Sequence, residues 1–263
     1  MAMPTILELA QAGAHYGHHR SLTFPKAKNF IYMTKNNVSL INLEETLNRL
    51  EIAQKLLTEY RAEDRPILFV GTKRSIRSIV KEAAESIQAP YMVERWYGGF
   101  LTNFGNFSAQ FKKMRELEEF IASEKGQKLD KKQRAKHQAK LDHYQRFLGG
   151  AASLKAMPEL LIIGSATEDR IALGEARRLN IPVIAITDTD VNPDSVDYPI
   201  PANDDAPRAI EMVLKALVET PVKKVEAKSK VEGEPTKEKP KKAVKKAVKA
   251  TAKPKKPVAK KSK

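Results

Sequence analysis

The sequence of 263 residues contains no cysteine and only one tryptophan. Without cysteine the protein can form neither a disulfide nor a thiolate-ligated zinc site, which suits a reducing cytoplasm. Long apolar runs are also missing, because stretches such as "ILFV" and "LLII" have the length of a strand and cannot span a bilayer. The N-terminal "MAMPTILELAQAG" lacks the basic and apolar regions of a signal peptide. We therefore expect a cytoplasmic protein with no membrane partner.

Positive charge is concentrated at the C-terminal end. Residues 221–263 hold 17 Lys and 4 Glu, which is +13 of the formal net charge of +15 and leaves +2 for residues 1–220. The segment has no aromatic residue, five prolines and the near-repeat "KKAVKKAV". Because it cannot bury enough apolar surface to offset its ordering entropy, we predict a disordered Lys-rich tail. The lysine density favours an arm that binds a polyanion, with a solubilising tail as the alternative and a membrane-surface contact as a minor one.

Residues 1–103 and 149–220 show the pattern of an α/β body. Apolar runs of strand length are followed by turns and amphipathic helices, which predicts a parallel sheet covered on both faces. Near the N-terminus "TILE" is a capping-box pattern, "HYGHHRSLTFPKAK" predicts a loop, and "NFIYM" and "VSLIN" flank "TKNN" as a β-hairpin. At the other end, Asp204 or Asp205 is expected to cap the last helix.

One segment, residues 104–148, interrupts this alternation. It holds no strand signal, and its apolar side chains recur every three or four positions in two runs separated by "SEKGQK". The pattern predicts an inserted, coiled-coil-like helical hairpin that protrudes from the body. Residues 111–148 contain 11 Lys and Arg against 6 Asp and Glu, a net charge of +5. A basic helix face of this kind is either simply solvated or contacts RNA, and both interpretations stay open.

The chain carries no signature of catalysis. "VGTKRS" follows a predicted strand, yet the glycine patterns of P-loops and dinucleotide sites are absent. The histidines His15, His18 and His19 match no zinc spacing, and turn chemistry explains the Asp-rich "DTD" and "NDDAP". We predict no catalytic residue, metal, cofactor or small-molecule substrate. The competing hypothesis is a nucleotide-using α/β enzyme with a basic nucleic-acid-binding tail.

The motif "RWYGGFLTN" at residues 95–103 admits three interpretations. It can be a packed loop, a phosphate-binding turn or a surface that stacks on bases. It follows a predicted strand, where doubly wound sheets place their functional loops. The size of Trp96 favours packing of the hairpin base onto the body, whereas Arg95 from the same loop can reach a phosphate.

Six motifs in a fixed order make the chain resemble a known family. "GAHYGHH", "LINLEET", "ILFVGTKR", "RWYGGFLTN", "IPVIAITDTD" and "IPANDDAPRAI" extend across about residues 5–219. Together they resemble the ribosomal protein S2 family of bacteria. The resemblance implies a flavodoxin-like doubly wound sheet with an inserted coiled-coil hairpin, and no enzymatic activity. It also implies a structural constituent of the small ribosomal subunit that acts in translation and contacts small-subunit ribosomal RNA and neighbouring small-subunit proteins.

The candidate RNA-binding residues are cations in the loops of the body and on the hairpin. They are Arg20, Lys26, Lys28, Lys73, Arg74, Arg95, Lys112, Lys113, Arg115, Lys131, Lys132, Arg134 and Lys136.

Overall fold

The chain starts with a short helix whose first turn is capped by its own side chains. A computed structural model describes residues 3–219, and the tail predicted at 221–263 lies outside the described residues. Helix α1 (Ile6–Gln11) begins after Thr5, whose hydroxyl oxygen accepts from the backbone N–H of Glu8. The Glu8 carboxyl accepts from the backbone N–H of Thr5 in return, so the predicted capping box is confirmed.

A small antiparallel sheet follows helix α1. Its strands are β1 (Tyr16–His19), β2 (Ile31–Lys35) and β3 (Val38–Ile41), in the order β1-β3-β2. Asn36 and Asn37, with φ of 51° and 62°, form the predicted tight turn between β2 and β3. The prediction of a loop over "HYGHHRSLTFPKAK" was wrong, because this stretch contains β1 and a short 3-10 helix, Pro25–Phe30. Strand β1 exists because β3 offers it a hydrogen-bonding edge, which its own residues do not reveal.

The helices and the remaining strands alternate, as the sequence pattern predicts. The helices are α2 (Leu43–Ala62), α3 (Arg77–Ser86), α4 (Phe104–Ala122), α5 (Glu124–Gln127), α6 (Lys131–Leu148), α7 (Arg170–Arg178) and α8 (Pro207–Val218). The strands are β4 (Ile67–Val70), β5 (Tyr91–Met92), β6 (Leu160–Ile163), β7 (Val183–Thr187) and β8 (Tyr198–Pro201).

These five strands form one parallel sheet. Their order is β5-β4-β6-β7-β8, and each neighbouring pair is parallel. This is the flavodoxin-like order, so the predicted fold class is confirmed. Strand β8 was not predicted, because "YPIP" holds two prolines. It lies at the edge of the sheet, where a missing N–H donor is tolerated.

Each face of the parallel sheet carries its own hydrophobic core. Alternate strand residues face opposite ways, so Ile67 and Phe69 belong to one core and Leu68 and Val70 to the other. The first core lies under helices α2, α3 and α8. The second core lies under helix α7 and the base of the hairpin formed by α4 and α6. The hairpin is thus the connection from β5 to β6, and its base covers the sheet where a single crossover helix would otherwise lie.

The hairpin joins the second core only near the body. Helices α4 and α6 pack against each other, with α5 between them. Phe111 and Leu148, at the end near the body, are buried in the second core. Farther out, the ring of Phe120 contacts the ring of His137 at 5.5 Å, and neither side chain belongs to the core.

The last helix starts differently from the sequence expectation. Pro207 occupies the first turn, as predicted, but the N-cap residue is Ala206 and no side chain caps the helix. The expected cap from Asp204 or Asp205 was wrong, because Lys73 binds both carboxyl groups. None of the helices within residues 3–219 is long and apolar enough to cross a membrane.

Candidate nucleic-acid interface

The only tryptophan of the chain packs inside the protein. Trp96 is 8% exposed, and its ring meets that of Phe100 edge-on at 5.3 Å. Phe100 in turn contacts the rings of Phe104, Phe107 and Phe111 on helix α4. Packing of the hairpin base onto the body by Trp96 is therefore confirmed, and its ring has no free face on which a base could stack.

The 96–102 loop, which joins Trp96 to the start of the hairpin, is held by a residue that the sequence analysis missed. Glu175 lies on the buried face of helix α7, among Ala172, Leu173 and Ala176. Its carboxyl group accepts the indole N–H of Trp96 at 3.1 Å and three backbone N–H groups of the loop. A glutamate within the apolar stripe of an amphipathic helix was the available signal, since such a residue needs a buried partner.

Arg95 precedes this loop and is exposed, with no ion pair within residues 3–219. Its neighbour Glu94 has a different role. The Glu94 carboxyl accepts from Arg77 of helix α3 at 3.1 Å and from Arg146 of helix α6 at 3.4 Å. Glu94 thereby connects the base of the hairpin to the body, and Arg95 is left as the cation that faces solvent beside that base.

The candidate cations of the hairpin all lie on its exposed surface. Six of them have no ion pair within the described part of the chain: Lys113, Arg115, Lys131, Lys132, Arg134 and Lys136. Lys112 lies 3.8 Å from Glu116 of the next helical turn, a solvent-exposed pair that contributes little to stability. The hairpin therefore presents an uncompensated positive surface.

The candidate cations of the body fall into two groups. Arg20, Lys28 and Arg74 are exposed and have no ion pair in residues 3–219. Lys26 is exposed but forms an ion pair with Asp194. Lys73 is half-buried and donates to the Asp204 carboxyl, the Asp204 carbonyl oxygen and the Asp205 carboxyl. With three acceptors for its three N–H groups, Lys73 has none left for a phosphate in this conformation.

Lys73 belongs to a group of charged side chains at the carboxyl edge of the parallel sheet. Although burial opposes its charge, hydrogen bonds and charges from Asp205 and Asp204 raise the pKa of Lys73. The hydrogen bond from Lys73 lowers the pKa of Asp205. Asp204 also accepts the hydroxyl of Ser165 at 2.5 Å. These contacts tie the loops after β4, β6 and β8 to one another.

His18 of strand β1 joins the small sheet to the same edge. Its Nδ1 lies 3.2 Å from Asp188 Oδ1, and its Nε2 lies 3.7 Å from Asp205 Oδ2. Partial burial opposes the charge of His18, but Asp188, Asp190 and Asp205 outweigh it, so the pKa of His18 is raised. Burial raises the pKa of Asp188. One ligand atom each from His18, Asp188 and Asp190 lie within 4.8 Å of one another, a nitrogen and oxygen set of the kind that divalent metals accept.

The glycine turn of "VGTKRS" is closed by a side chain. The Thr72 hydroxyl donates to Asp169 Oδ1 at 2.7 Å, and the Thr72 backbone N–H donates to the same carboxyl at 3.3 Å. Burial raises the pKa of Asp169 to about 6. A nucleotide phosphate would need this N–H and would meet a carboxyl group instead. The turn is thus built for internal contacts, in agreement with the missing P-loop glycines.

Residues 3–219 form a flavodoxin-like sheet with a basic helical hairpin inserted after β5, the second strand of that sheet along the chain. Comparison with known families identifies the chain. The family model described as ribosomal protein S2 matches residues 9–224. The chain belongs to the ribosomal protein S2 family. It is therefore a structural protein of the ribosome and not an enzyme, and it acts in the cytoplasm.

Relatives within this family are similar over most of their length. A protein of Helicobacter hepaticus named small ribosomal subunit protein uS2 is 38% identical, over 82% of this chain and 82% of the relative. The protein of the same name from Thermus thermophilus is 40% identical, over 82% of this chain and 84% of the relative. That of Wolinella succinogenes is 36% identical, over 90% of this chain and 87% of the relative. The similarity thus covers the body and the hairpin together.

Proposed function

We propose that this chain is a structural constituent of the small ribosomal subunit and binds the subunit's RNA through the hairpin and Arg95. The names of the relatives place those proteins in the small subunit. The observation that carries the RNA contact is the row of exposed cations without ion pairs on helices α4 and α6. Unpaired cations on an extended helical surface can bind the phosphate backbone without reading its sequence.

The charge distribution supports the hairpin as the RNA-binding part. Residues 111–148 have a net charge of +5 within a stretch, residues 1–220, that has +2 in total, so the remaining residues of that stretch have −3. RNA attracts the first region and not the second. Arg95 extends the basic surface to the base of the hairpin, where a guanidinium can bind a phosphate with two N–H groups.

The body cations contribute unequally to this proposal. Arg20, Lys28 and Arg74 are exposed and can meet RNA beside the sheet. Lys26 would first have to leave Asp194, and Lys73 would have to leave two carboxyl groups. We therefore rank Lys26 and Lys73 below the hairpin residues as RNA contacts.

We assign contacts with neighbouring small-subunit proteins to the body. Its net charge is negative, so RNA contacts there are limited to its few exposed cations, and its edge strand β2 exposes two large apolar side chains, Tyr32 at 74% and Met33 at 46%. Aromatic and methionine side chains are enriched at protein interfaces relative to other surfaces.

Two variants with the same loss of charge test the RNA contact. The hairpin variant replaces Lys131, Lys132, Arg134 and Lys136 by Gln. The body variant replaces four exposed cations on the helices over the first core by Gln: Lys55, Lys81, Arg208 and Lys215. Affinity for small-subunit ribosomal RNA is measured over a salt series, and incorporation is measured by sedimentation of small subunits.

The two variants should differ clearly in their affinity for RNA. We expect the hairpin variant to bind RNA more weakly, with a salt slope that is shallower by at most about 3.6, since each of the four phosphate contacts contributes about 0.7–0.9. The body variant should bind nearly as the unchanged protein does. Equal affinity and equal slope for both variants would contradict the proposal, because the tail and the net charge are the same in each. Arg95→Ala should weaken binding without changing the melting temperature.

A further inference from the structure

Glu175 makes an unusual set of contacts for a buried acid. Its Oε1 accepts the indole N–H of Trp96 at 3.1 Å and the backbone N–H of Gly99 at 2.7 Å. Its Oε2 accepts the backbone N–H of Leu101 at 3.0 Å and, more weakly, that of Thr102 at 3.4 Å. Both oxygens are thus used, and all four donors belong to the 96–102 loop.

The loop's own hydrogen bonds, from the Phe100 N–H to the Tyr97 carbonyl oxygen at 3.0 Å and from the Asn103 N–H to the Gly99 carbonyl oxygen at 2.8 Å, leave other N–H groups of the loop to be satisfied from outside it. Asn103, the N-cap residue of helix α4, makes no side-chain capping bond. Gly99 has a φ of +88°, which side-chain-bearing residues rarely adopt. The N–H groups of Leu101 and Thr102 lie just before the helix and need an external acceptor. Glu175, on a different helix, supplies that acceptor.

The position of the 96–102 loop determines the position of the proposed RNA-binding groups on both sides of it. Arg95 directly precedes the loop. Helix α4 starts at Phe104 directly after it, and Phe104 and Phe107 pack against Phe100 of the loop. A shift of the loop would therefore change both where Arg95 lies and the direction in which the hairpin leaves the body.

We propose that Glu175 is a positioning residue for RNA binding: through the 96–102 loop it holds Arg95 and the hairpin in the arrangement that meets the RNA. This inference rests on the proposed function of Arg95 and the hairpin. Glu175 itself is buried and does not reach the RNA.

Glu175→Gln is the sharpest change that keeps the size of the side chain. Each oxygen of Glu175 accepts two N–H groups, so either orientation of a glutamine amide turns an NH2 group toward two donors. Asp169→Asn is the matched control, because it also neutralises a buried carboxyl of the α7 region, but its partner is Thr72 and not the 96–102 loop.

Two measurements on the full chain without RNA report the loop and the hairpin separately. Trp96 is the only tryptophan, so fluorescence quenching by acrylamide reports the loop alone. Because the chain has no cysteine, Gln133→Cys on the hairpin and Ser78→Cys on helix α3 take a pair of spin labels whose distance distribution reports the direction of the hairpin. RNA affinity is then measured for the same variants.

For Glu175→Gln we expect a cooperative melt, stronger quenching of Trp96 and a broader label distance distribution. RNA affinity should fall about tenfold, which corresponds to about 1.4 kcal/mol. Combining the change with Arg95→Ala should cost less than the two separate losses predict. Asp169→Asn should leave quenching and label distances as they are in the unchanged protein.

Several results would overturn the inference. Unchanged quenching and label distances would show that Glu175 does not hold the loop. Changed loop signals with unchanged RNA affinity would leave Glu175 with a structural role only. If Glu175→Gln does not fold, Trp96→Phe removes one of the four donors to Glu175 and keeps an aromatic ring in the loop. Unchanged label distances and RNA affinity in that variant would decide against the inference. Failure of the proposed function is recognised separately, because Arg95→Ala and the hairpin variant would then bind RNA normally.

Discussion

The two faces of the parallel sheet are covered in different ways. Over the first core, the buried residues of helices α2, α3 and α8 are uncharged, and only Thr46 and Tyr60 among them carry a hydroxyl group. The Thr46 hydroxyl donates to the carbonyl oxygen of Pro201 at 2.6 Å. Over the second core, helix α7 buries Glu175, and the hairpin base adds a chain of ring contacts from Trp96 through Phe100 to Phe111. Within residues 3–219, no ring–ring contact joins buried members of the first core.

The difference shows how an α/β layer architecture can carry a protruding hairpin. A core under regular amphipathic helices needs only apolar side chains at the right spacing. A core under the base of a protruding hairpin must also fix an angle, and directional contacts do this: ring edges, an indole N–H and a buried carboxyl group. On the second face, stability and orientation therefore depend on the same residues, whereas the first face contributes mainly stability and holds the hairpin through Arg77 of helix α3 and its contact with Glu94.

Excision of most of the hairpin should give the largest effect. Replacing residues 106–146 by a short Gly/Ser linker removes Phe107, Phe111 and Tyr144 from the second core. One buried aromatic is worth about 3–5 kcal/mol, and a whole domain has only about 5–15 kcal/mol, so the shortened protein should lose its cooperative melt. Circular dichroism on heating measures this.

The control excision replaces residues 118–138 instead. It keeps Phe111 and Leu148 and should preserve the cooperative melt. If both excised proteins fold, the second core closes without the hairpin base.

Truncation of Trp96 should have the next largest effect. We expect Trp96→Ala to lower the free energy of unfolding by about 3–5 kcal/mol, because the ring is buried and its N–H satisfies Glu175. Trp96→Phe keeps one aromatic ring and loses the N–H donor with a smaller part of the packing, so it should cost about 1–3 kcal/mol. Urea unfolding of both variants separates packing from the hydrogen bond. Equal losses for the two would show that the indole N–H, and not ring size, dominates on this face.

The buried carboxyl of Asp169 should make stability depend on pH. Its pKa of about 6 in the folded protein exceeds the ordinary value of 3.8, so between these values the folded state binds more protons than the unfolded state. The contribution of Asp169 to stability is thus greatest below about pH 4 and is lost as the pH rises through about 6. The shift corresponds to about 3 kcal/mol at most. Unfolding of the unchanged protein and of Asp169→Asn should therefore differ in pH dependence over this window.

The control for this pH dependence is Glu168→Gln, at the exposed neighbouring position. It should follow the unchanged protein at both ends of the pH window. If Asp169→Asn also shows the full pH dependence, the titrating group lies elsewhere, and Glu175 and the ring contacts would remain as the differences between the two faces.

Removal of the basic tail should have the smallest effect on stability. Truncation at Thr220 takes away a Lys-rich segment without aromatic residues, whose composition predicts that it buries little apolar surface, so we expect an almost unchanged melting temperature. RNA affinity should fall more at about 50 mM than at 200 mM salt, because the tail contributes charge and no base recognition. A salt series for both proteins measures this. Equal salt slopes would indicate that the tail does not contact the RNA.

Most of the fold could be predicted, and less of the candidate site. The strands "ILFV" and "LLII" and the stripes of α2, α4 and α8 follow from the spacing of apolar residues along one segment. Exposed cations such as Arg95 follow from residue type. The partners of Lys73 could not be predicted, because Asp204 and Asp205 lie 131 and 132 residues away in sequence. A separation of 73 to 79 residues from its partners hid the role of Glu175, and strand β8 was hidden by its prolines.

What the sequence determined by itself is local. Local features depend on residues within a few positions of one another, as in the capping box of Thr5 and Glu8, the turn at Asn36 and Asn37, and the apolar stripes. These preferences act along a short segment and do not require a compact chain. Only the tertiary structure decided which side chains meet at the carboxyl edge and which face the hairpin covers. A buried carboxyl or ammonium group is stable only beside its particular partners, and the packing of distant segments chooses those partners.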